Sequence, residues 1–381
     1  MLAKQKDKFS LPEHITYLNG AYMSPQLKHV EQIGMEALSK KSHPYLYTAD
    51  DFFSGAEKLR RTFAGFIDAP DHLNTAIIPS VSYGMASVAK NVQLKKGDEI
   101  IIAEAQFPSN VYAWQELAEK YGAVIKIVGP SKEQKHRGKT WNQNILDAIN
   151  SKTALVAIAP LHWADGTLFN LRAIREKTSK HNALLIIDGA QALGALPFSV
   201  KEIQPDALIT VGYKWLLGPY GLGMAYYSDR FLDGDPIEYS WINRYNSEDF
   251  TQLVNYQPNY QPKAGRFNMG EYSNFITVPM LTKSIEQLTE WKPKDIEAYC
   301  QNISSKAIDQ LRDMGCFIEE DAYRGKHMFG VYLPKHIDIS KLKPKLLENN
   351  IFVSYRGDAI RVAPNVYNDA LDFEKLLIHF K

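Results

Sequence analysis

The chain has 381 residues, of which 45% are apolar and 23% charged, a composition typical of a soluble globular protein with two lobes. Its 44 basic and 43 acidic residues nearly cancel, so the overall charge favours neither nucleic acid nor an anionic membrane as a partner. Two cysteines, Cys300 and Cys316, are too few for a disulfide framework or a cysteine-rich metal site, and we expect no metal. No apolar run resembles a signal peptide or a membrane span of about 20 residues, so we expect a cytoplasmic protein.

Two helices are predicted early in the chain, over residues 25–41 and 50–67. Apolar runs then alternate with helical stretches, and strands are predicted at 75–78, 99–103, 123–128, 154–159, 184–187 and 207–211, followed by an edge strand at 224–227. This alternation predicts right-handed βαβ units and an α/β fold with a mostly parallel sheet between helices. A small α+β lobe is predicted from about residue 293, with strands at 316–319, 330–333, 351–354 and 359–362.

Polar and aromatic residues follow the predicted strands, where ligands of such sheets bind. Val81 and Ser82 open a helix, whose free N–H groups suit a phosphate, although an ordinary helix cap explains them equally well. Phe107 can stack on a planar ring or belong to the core. His162 titrates near neutrality and is an acid/base candidate, although a loop histidine without chemistry is a competing explanation; Trp163 beside it can only donate a hydrogen bond.

The strongest pattern lies between residues 183 and 228. Asp188 ends one apolar run, and Lys214 follows the next, between Tyr213 and Trp215. Pyridoxal phosphate (PLP) chemistry needs such a pair, because a lysine amine forms the Schiff base and an aspartate keeps the pyridine nitrogen protonated. Gln191, three residues after Asp188, can donate to the phenolic oxygen of the cofactor.

This block resembles the cofactor-binding core of the class V aminotransferase family of fold-type I PLP-dependent enzymes, which includes cysteine desulfurases, kynureninases and isopenicillin N epimerase. The resemblance implies PLP as cofactor, held by Asp188, Gln191 and Lys214, with Tyr213 at its phosphate. Lys214 would also carry the α-proton of the substrate. The family architecture implied is a large domain with a mostly parallel sheet and a small C-terminal α+β domain.

The resemblance also assigns roles outside the central block. Val81 and Ser82 would contact the phosphate, and Phe107 would stack on the pyridine ring where cysteine desulfurases have a histidine. Trp163 stands where members often have an asparagine that orients the cofactor, and His162 stands beside it.

The C-terminal segment around Ile360-Arg361-Val362 resembles that of kynureninase-like members, in which the arginine clamps the α-carboxylate of the substrate. Arg361 is therefore the expected carboxylate site, with Arg356 as a second candidate. Asn19 belongs to a segment that lies over the active site in the family.

A dimer contact is implied near residue 271. Members have a threonine there that reaches the phosphate of the other subunit, and Glu271 replaces it, so Ser273 and Asn274 are the candidates for this contact. The resemblance thus implies a homodimer with shared active sites. The expected division of the chain is an arm over residues 1–20, a PLP-binding domain over 21–275, and a linking helix with a small domain over 276–381.

Three functions remain open from the sequence. The first is a class V aminotransferase acting at the α-carbon of a small amino acid. The second is a PLP-dependent lyase or kynureninase-like hydrolase, and the third is a PLP-fold binding module without catalysis, against which Asp188, Lys214 and Arg361 argue. Desulfurase activity is disfavoured, because that reaction needs a cysteine shortly before the carboxylate-binding arginine, and none follows Cys316.

Overall fold

The structure, a computed structural model, describes residues 2–131 and 136–380. The strands are β1 (Thr16–Tyr17), β2 (Thr75–Ile78), β3 (Glu99–Ala103), β4 (Val124–Val128), β5 (Thr153–Ile158), β6 (Leu184–Asp188), β7 (Ala207–Val211), β8 (Gly223–Tyr227), β9 (Phe329–Tyr332), β10 (Ile351–Phe352), β11 (Ser354–Arg356) and β12 (Ala359–Val362). The helices are α1 (Lys28–Lys40), α2 (Ser54–Phe66), α3 (Val81–Lys90), α4 (Tyr112–Tyr121), α5 (Arg137–Ala148), α6 (Leu171–Lys180), α7 (Val200–Ile203), α8 (Thr277–Trp291), α9 (Pro293–Asp313), α10 (Ile339–Glu348) and α11 (Ala370–Leu377).

The central sheet has seven strands in the order β2-β8-β7-β6-β5-β3-β4. The ladders from β7 to β4 are parallel, and β8 runs antiparallel to both of its neighbours. Alternate residues of each strand face opposite sides. Ile101 of β3 accordingly packs into one apolar core, and its neighbours Ile100 and Ile102 pack into another. The predicted α/β layering, with helices over both faces of the sheet, is confirmed.

Two strand predictions were wrong. The segment 224–227 was predicted at the edge of the sheet, but β8 lies between β2 and β7 and every residue of it is buried. The chain reverses after β7, so β8 forms a hairpin with β7 on one side while β2 covers the other. The segment 316–319 forms no strand, because only Phe317 makes a bridge, to Tyr332, while Cys316 and Ile318 fill the core beneath it.

A C-terminal lobe, formed by α9 to α11 with β9 to β12, has a core of its own. The antiparallel sheet in this lobe has the order β11-β12-β9. The predicted strand 351–354 is split at Val353: β10 pairs with β1 of the N-terminal arm, while β11 pairs with β12. The arm is thereby attached to the C-terminal lobe, and Asn19 continues this contact with a bridge to Ala363. The division of the chain into domains at residues 20 and 275 remains a prediction.

None of the helices within residues 2–131 and 136–380 is long and apolar enough to cross a membrane. Over the same residues, no group of three or more histidine, cysteine, aspartate or glutamate side chains is arranged to hold a metal ion.

Candidate active site

A cavity of about 330 Å³ opens where β5, β6 and β7 end. Nine of the residues that sequence analysis singled out line this cavity together: Val81, Ser82, Phe107, His162, Trp163, Asp188, Gln191, Tyr213 and Lys214. Its lining also includes residues that were not predicted, among them Ser80, Ser109, Ala159, Tyr220 and Gly221. The sequence feature that these residues share is their position: each one lies in a segment that follows a strand, or in a turn next to a strand.

Asp188 and Lys214 are both buried in this cavity. Asp188 is the last residue of β6, and its Oδ1 accepts a hydrogen bond from the N–H of Ala190 at 3.0 Å. Burial raises the pKa of this carboxyl group, while the Ala190 hydrogen bond and the charge of Lys214 oppose the rise. A carboxylate in such surroundings has a strong preference for a cationic or proton-donating partner.

The amine of Lys214 forms no hydrogen bond within the described part of the chain, and its Nζ lies 5.2 Å from the centroid of the Phe107 ring. Burial lowers the pKa of Lys214 to about 8. The charge of Asp188 opposes this shift, whereas the charges of Arg361 and Arg356 add to it. Since the neutral form is the nucleophile, this environment prepares the amine for carbonyl chemistry.

The N-terminus of α3 forms one wall of the cavity. Ser80 caps this helix, because its Oγ accepts a hydrogen bond from the N–H of Tyr83 at 3.2 Å, and the same Oγ lies 2.9 Å from Oγ of Ser82. The N–H groups of Val81 and Ser82 come too early in the helix to have an i−4 carbonyl partner. These groups fit a phosphate, which is favoured at helix N-termini.

His162 and Trp163 also line the cavity, and their side chains both contact the same carbonyl oxygen. The Nε2 of His162 and the Nε1 of Trp163 lie 3.1 Å and 2.7 Å from the carbonyl oxygen of Ala105. Ala105 has a positive φ of 49°, a strained conformation for alanine that aims its carbonyl group at both rings. The ring of Phe107 packs edge-on against Trp163, with centroids 5.3 Å apart.

A buried network that the sequence did not reveal lies behind this wall. Asp165 accepts a hydrogen bond from Tyr332 at 2.8 Å, pairs with Arg137 at 2.7 Å and lies 3.3 Å from Nδ1 of His162. Both ring nitrogens of His162 are therefore engaged within the protein. Burial alone raises the pKa of Asp165, but the charges of His162 and Arg137 and the hydrogen bonds from His162 and the N–H of Thr167 outweigh it and hold the pKa below its ordinary value.

Arg361 lies beside the cavity and is almost fully buried. Its Nη1 donates to the carbonyl oxygen of Trp163 at 2.7 Å, and its Nη2 lies 3.4 Å from Oγ of Ser354. The hydroxyl group of Ser354 in turn donates to Oδ1 of Asn19 at 2.6 Å. The Nε of Arg361 is buried and has no hydrogen-bond partner within residues 2–131 and 136–380. Burial and the nearby charge of Arg356 lower the pKa of Arg361, so an anion at this place would be strongly favoured.

Both the nitrogen and the oxygen of the Gln191 side-chain amide form hydrogen bonds. Its Nε2 donates to the carbonyl oxygen of Ala21 at 3.0 Å, and its Oε1 accepts from the indole N–H of Trp215 at 2.9 Å. The second hydrogen of the amide nitrogen remains to donate to a ligand. His327 supports the same residue from the C-terminal lobe, with Nε2 2.8 Å from the carbonyl oxygen of Gln191.

Ser273 and Asn274 do not line the cavity of this chain. Asn274 uses its Oδ1 to accept hydrogen bonds from the N–H groups of Ile276 and Thr277, at the start of α8. Ser273 is buried beside it, and Glu271, with a positive φ of 56°, forms the turn before them. A contact of these residues with the site of another subunit remains a prediction.

The family model of Aminotransferase class-V matches residues 27–369. The chain belongs to this family. It is 26% identical over 328 residues to the uncharacterized aminotransferase YcbU of Bacillus subtilis, with 85% of this chain and 83% of that protein covered. It is 31% identical over 278 residues to a probable cysteine desulfurase of Halalkalibacterium halodurans, with 70% and 63% covered.

The fold matches solved structures of PLP enzymes. A variant of C-DES with glycine covalently linked to the PLP cofactor superimposes with a TM-score of 0.85 at 16% identity, covering 99% of this chain and 98% of that one. The apo cysteine desulfurase of Thermococcus onnurineus has a TM-score of 0.82 at 18% identity, with 99% and 98% covered. These matches confirm the predicted fold-type I architecture, and the class V chain is a PLP-dependent enzyme.

Proposed function

We propose that this class V enzyme is an aminotransferase that acts at the α-carbon of a small amino acid. The observation that supports the proposal is the difference in hydrogen bonding between the two candidate bases of the cavity, Lys214 and His162. The amine of Lys214 forms no hydrogen bond with any residue that the structure describes and has a pKa lowered to about 8, whereas both nitrogens of His162 are held by Asp165 and Ala105. Lys214 is thus the base best prepared to move a proton at the α-carbon, as transamination requires.

The residues around Lys214 fit the cofactor. Asp188 would hold the ring nitrogen, which suits a buried carboxylate whose pKa is raised unless it gains a cationic partner. Val81 and Ser82 would hold the phosphate with Tyr213 nearby, and Gln191 would donate to the phenolic oxygen. When bound, PLP supplies the sink for electrons released at the α-carbon of the substrate.

Arg361 would bind the α-carboxylate of the amino acid. Its planar guanidinium suits a carboxylate, and its Nε is buried without a partner in the described part of the chain. Asn19 acts on this site through Ser354, which lies between the two side chains. Binding at Arg361 would orient the α-carbon towards the lysine and exclude water from the cavity.

His162 and Trp163 were predicted as an acid/base residue and a cofactor contact, and these roles remain predictions. Their hydrogen bonds to Ala105 support a positioning role for both, since the rings are held in place on the side of the cavity that carries Phe107. Phe107 offers an aromatic face but no titratable group.

The cysteines support the argument against desulfurase activity. Cys300 is buried with its Sγ 3.6 Å from the carbonyl oxygen of Pro364, and Cys316 is buried in the core of the C-terminal lobe. Burial raises the pKa of both thiols, that of Cys316 to about 11. Because the thiolate is the nucleophile in sulfur transfer, neither cysteine suits that reaction.

The proposal is tested by a panel of amino acids added singly to the PLP-loaded enzyme, without a keto-acid acceptor. Transamination should yield one equivalent of keto acid per active site and cofactor recovered in its amine form. Continuous release of ammonia with pyruvate, or of alanine, with the cofactor unchanged, would instead establish the lyase or kynureninase-like hydrolase. The kynureninase-like segment around Arg361 is the observation in favour of that alternative.

The proposal includes a homodimer and a cytoplasmic location. Four exposed aromatic side chains, Tyr239, Trp241, Tyr245 and Tyr256, line one surface pocket and support the dimer, because contiguous exposed apolar surfaces mark association sites. Light scattering on the purified enzyme should give twice the chain mass of 43.2 kDa. A Ser273→Ala variant should then bind PLP more weakly if Ser273 reaches the phosphate of the other subunit.

A further inference from the structure

Two arginines of the C-terminal lobe lie on the same side of one hairpin, next to Trp163 in the wall of the cavity; neither of them lines the cavity itself. Ser354 and Arg356 are alternate residues of β11, so their side chains lie on the same face of the sheet. Arg361 of β12 is directly opposite Ser354 in the antiparallel register and shares that face. Both arginines meet Trp163: Arg361 donates to its carbonyl oxygen, and the guanidinium carbon of Arg356 lies 5.4 Å from its ring centroid.

Arg356 has no acidic partner among the residues that the structure describes. Its only hydrogen bond there runs from Nη1 to the carbonyl oxygen of Tyr355, its own neighbour, at 2.7 Å. The guanidinium is half-buried, and its charge lowers the pKa of Lys214 inside the cavity. A half-buried cation that has no counter-ion and lies behind the wall of a ligand cavity is suited to bind an anionic group of the ligand.

The anion-binding groups of the site outnumber the anions that the proposed reaction supplies. The N-terminus of α3 would bind the phosphate of the cofactor, and Arg361 would bind the α-carboxylate of the substrate. Asp188 would bind the ring nitrogen of the cofactor and lies near Lys214, so it does not act as a counter-ion for Arg356. Arg356 is the one anion-binding side chain of this set to which the reaction assigns no anion.

We infer that Arg356 binds a carboxylate on the side chain of the substrate, so that the enzyme acts on dicarboxylic amino acids. This inference rests on the proposed function, since it takes Arg361 as the site of the α-carboxylate. The guanidinium carbon of Arg356 lies within cation–π distance of the Trp163 ring. Apart from the bond to Tyr355, its N–H groups have no hydrogen-bond partner among the described residues and can donate to a carboxylate. The side chain of the substrate would extend from the α-carbon towards the hairpin that carries both arginines.

The test compares acids with their neutral isosteres. Aspartate and asparagine, and glutamate and glutamine, are titrated into the PLP-loaded enzyme, and binding is read from the cofactor spectrum. The wild-type enzyme should bind the acid of one pair roughly 10- to 100-fold more tightly than its amide, the range expected for a charge-assisted hydrogen bond. Arg356→Gln should remove this preference and leave the affinity for the amide within about twofold.

Lys343→Gln is the matched control. The Nζ of Lys343 lies 5.2 Å from the ring of Tyr355, which is on the opposite face of the hairpin from Arg356. This variant removes one positive charge near the same hairpin without opening the cavity, so it should keep the preference for the acid. PLP content and melting temperature, measured for both variants, separate a loss of recognition from a loss of fold.

The outcomes distinguish this inference from the proposed function. If no amino acid changes the cofactor spectrum or gives a keto acid, the proposed function fails. If amino acids react but acids and amides bind alike, or if Arg356→Gln keeps the preference, the inference about Arg356 fails alone. If Arg356→Gln weakens each acid and its amide equally, Arg356 serves the α-carboxylate together with Arg361, and the dicarboxylic substrate class is refuted.

Discussion

The hydroxyl group of Tyr332 donates a hydrogen bond of 2.8 Å to Oδ2 of Asp165 and thereby joins β9 of the C-terminal lobe to the cavity wall. A second bond, from the N–H of Gly330 to the carbonyl oxygen of Asp165 at 2.8 Å, supports the same junction. Asp165 lies two residues after Trp163, whose carbonyl oxygen holds Arg361. One buried aspartate therefore helps to position both the C-terminal lobe and the expected carboxylate site.

Tyr332→Phe is expected to weaken substrate binding more than cofactor binding. The lost hydrogen bond to a buried carboxylate should lower the free energy of unfolding by about 1.5–3 kcal/mol and loosen the loop that holds Arg361. Spectral titration should then show a several-fold weaker affinity for the amino acid at unchanged PLP content. The control is Tyr299→Phe, which removes a buried hydroxyl that donates to Asn368 at 2.6 Å, away from the cavity. Equal effects of both variants on amino-acid affinity would contradict the account.

Lys214 should titrate well below an ordinary lysine. Burial lowers its pKa from 10.5 to about 8, so half of the amine is neutral at pH 8 in the folded protein. The rate of PLP uptake by the apoprotein should rise with pH, reach half of its maximum near pH 8 and level off at higher pH, because the neutral amine is the reacting form. Arg361→Gln removes a cation that lowers the pKa of Lys214. In this variant the midpoint of the pH dependence of PLP uptake should therefore move to higher pH. If PLP uptake by the wild-type apoprotein had its midpoint near pH 10.5, the pKa of an ordinary lysine, the lowered pKa of the buried amine would be contradicted.

The fold was largely predictable because local patterns determine it. Strands β2, β3 and β7 were predicted at their observed bounds, and the other parallel strands within one residue, since buried apolar runs between helices have few alternative arrangements. The position of β8 was not predictable from its own residues. Its neighbour β2 lies about 150 residues earlier in the chain, and pairings at such separation leave no local pattern.

The candidate site was predictable where the chemistry requires particular residues, as at Asp188 and Lys214. The supporting contacts were not. Arg137 and Tyr332 meet Asp165 only through the packing of α5 and β9, and a lone arginine or tyrosine in those segments has no distinguishing signal. The strained φ of Ala105 was equally hidden, because alanine carries no preference for that conformation.

Asp188→Asn should reduce turnover by roughly 100-fold or more while the protein stays folded. The substitution keeps the shape of the side chain and removes the charge that would keep the ring nitrogen protonated. It also removes the charge that opposes the lowering of the Lys214 pKa, so the midpoint of PLP uptake should fall below pH 8. Asp206→Asn is the control, since Asp206 is a buried carboxylate paired with Arg175 at 2.8 Å, outside the cavity. That variant should lose stability but keep its turnover per bound PLP.

The double variant Cys300→Ala, Cys316→Ala should keep its amino-acid activity within about twofold. Both thiols are buried, and burial raises the pKa of each, so neither is available to substrate. A thiol reagent should accordingly modify the wild-type enzyme only after denaturation. Sulfide release from cysteine that disappears in the double variant would show that one of these thiols is catalytic.

The most direct measurement is the site of covalent cofactor attachment. The enzyme is incubated with PLP, reduced with borohydride, digested and analysed by mass spectrometry, with Lys214→Ala treated in parallel. The account predicts that the mass of the reduced cofactor is found on Lys214 alone and that no lysine of the variant carries it. Attachment at a different lysine, or PLP retained by the reduced enzyme without any mass on Lys214, would contradict the site described around Asp188 and Lys214.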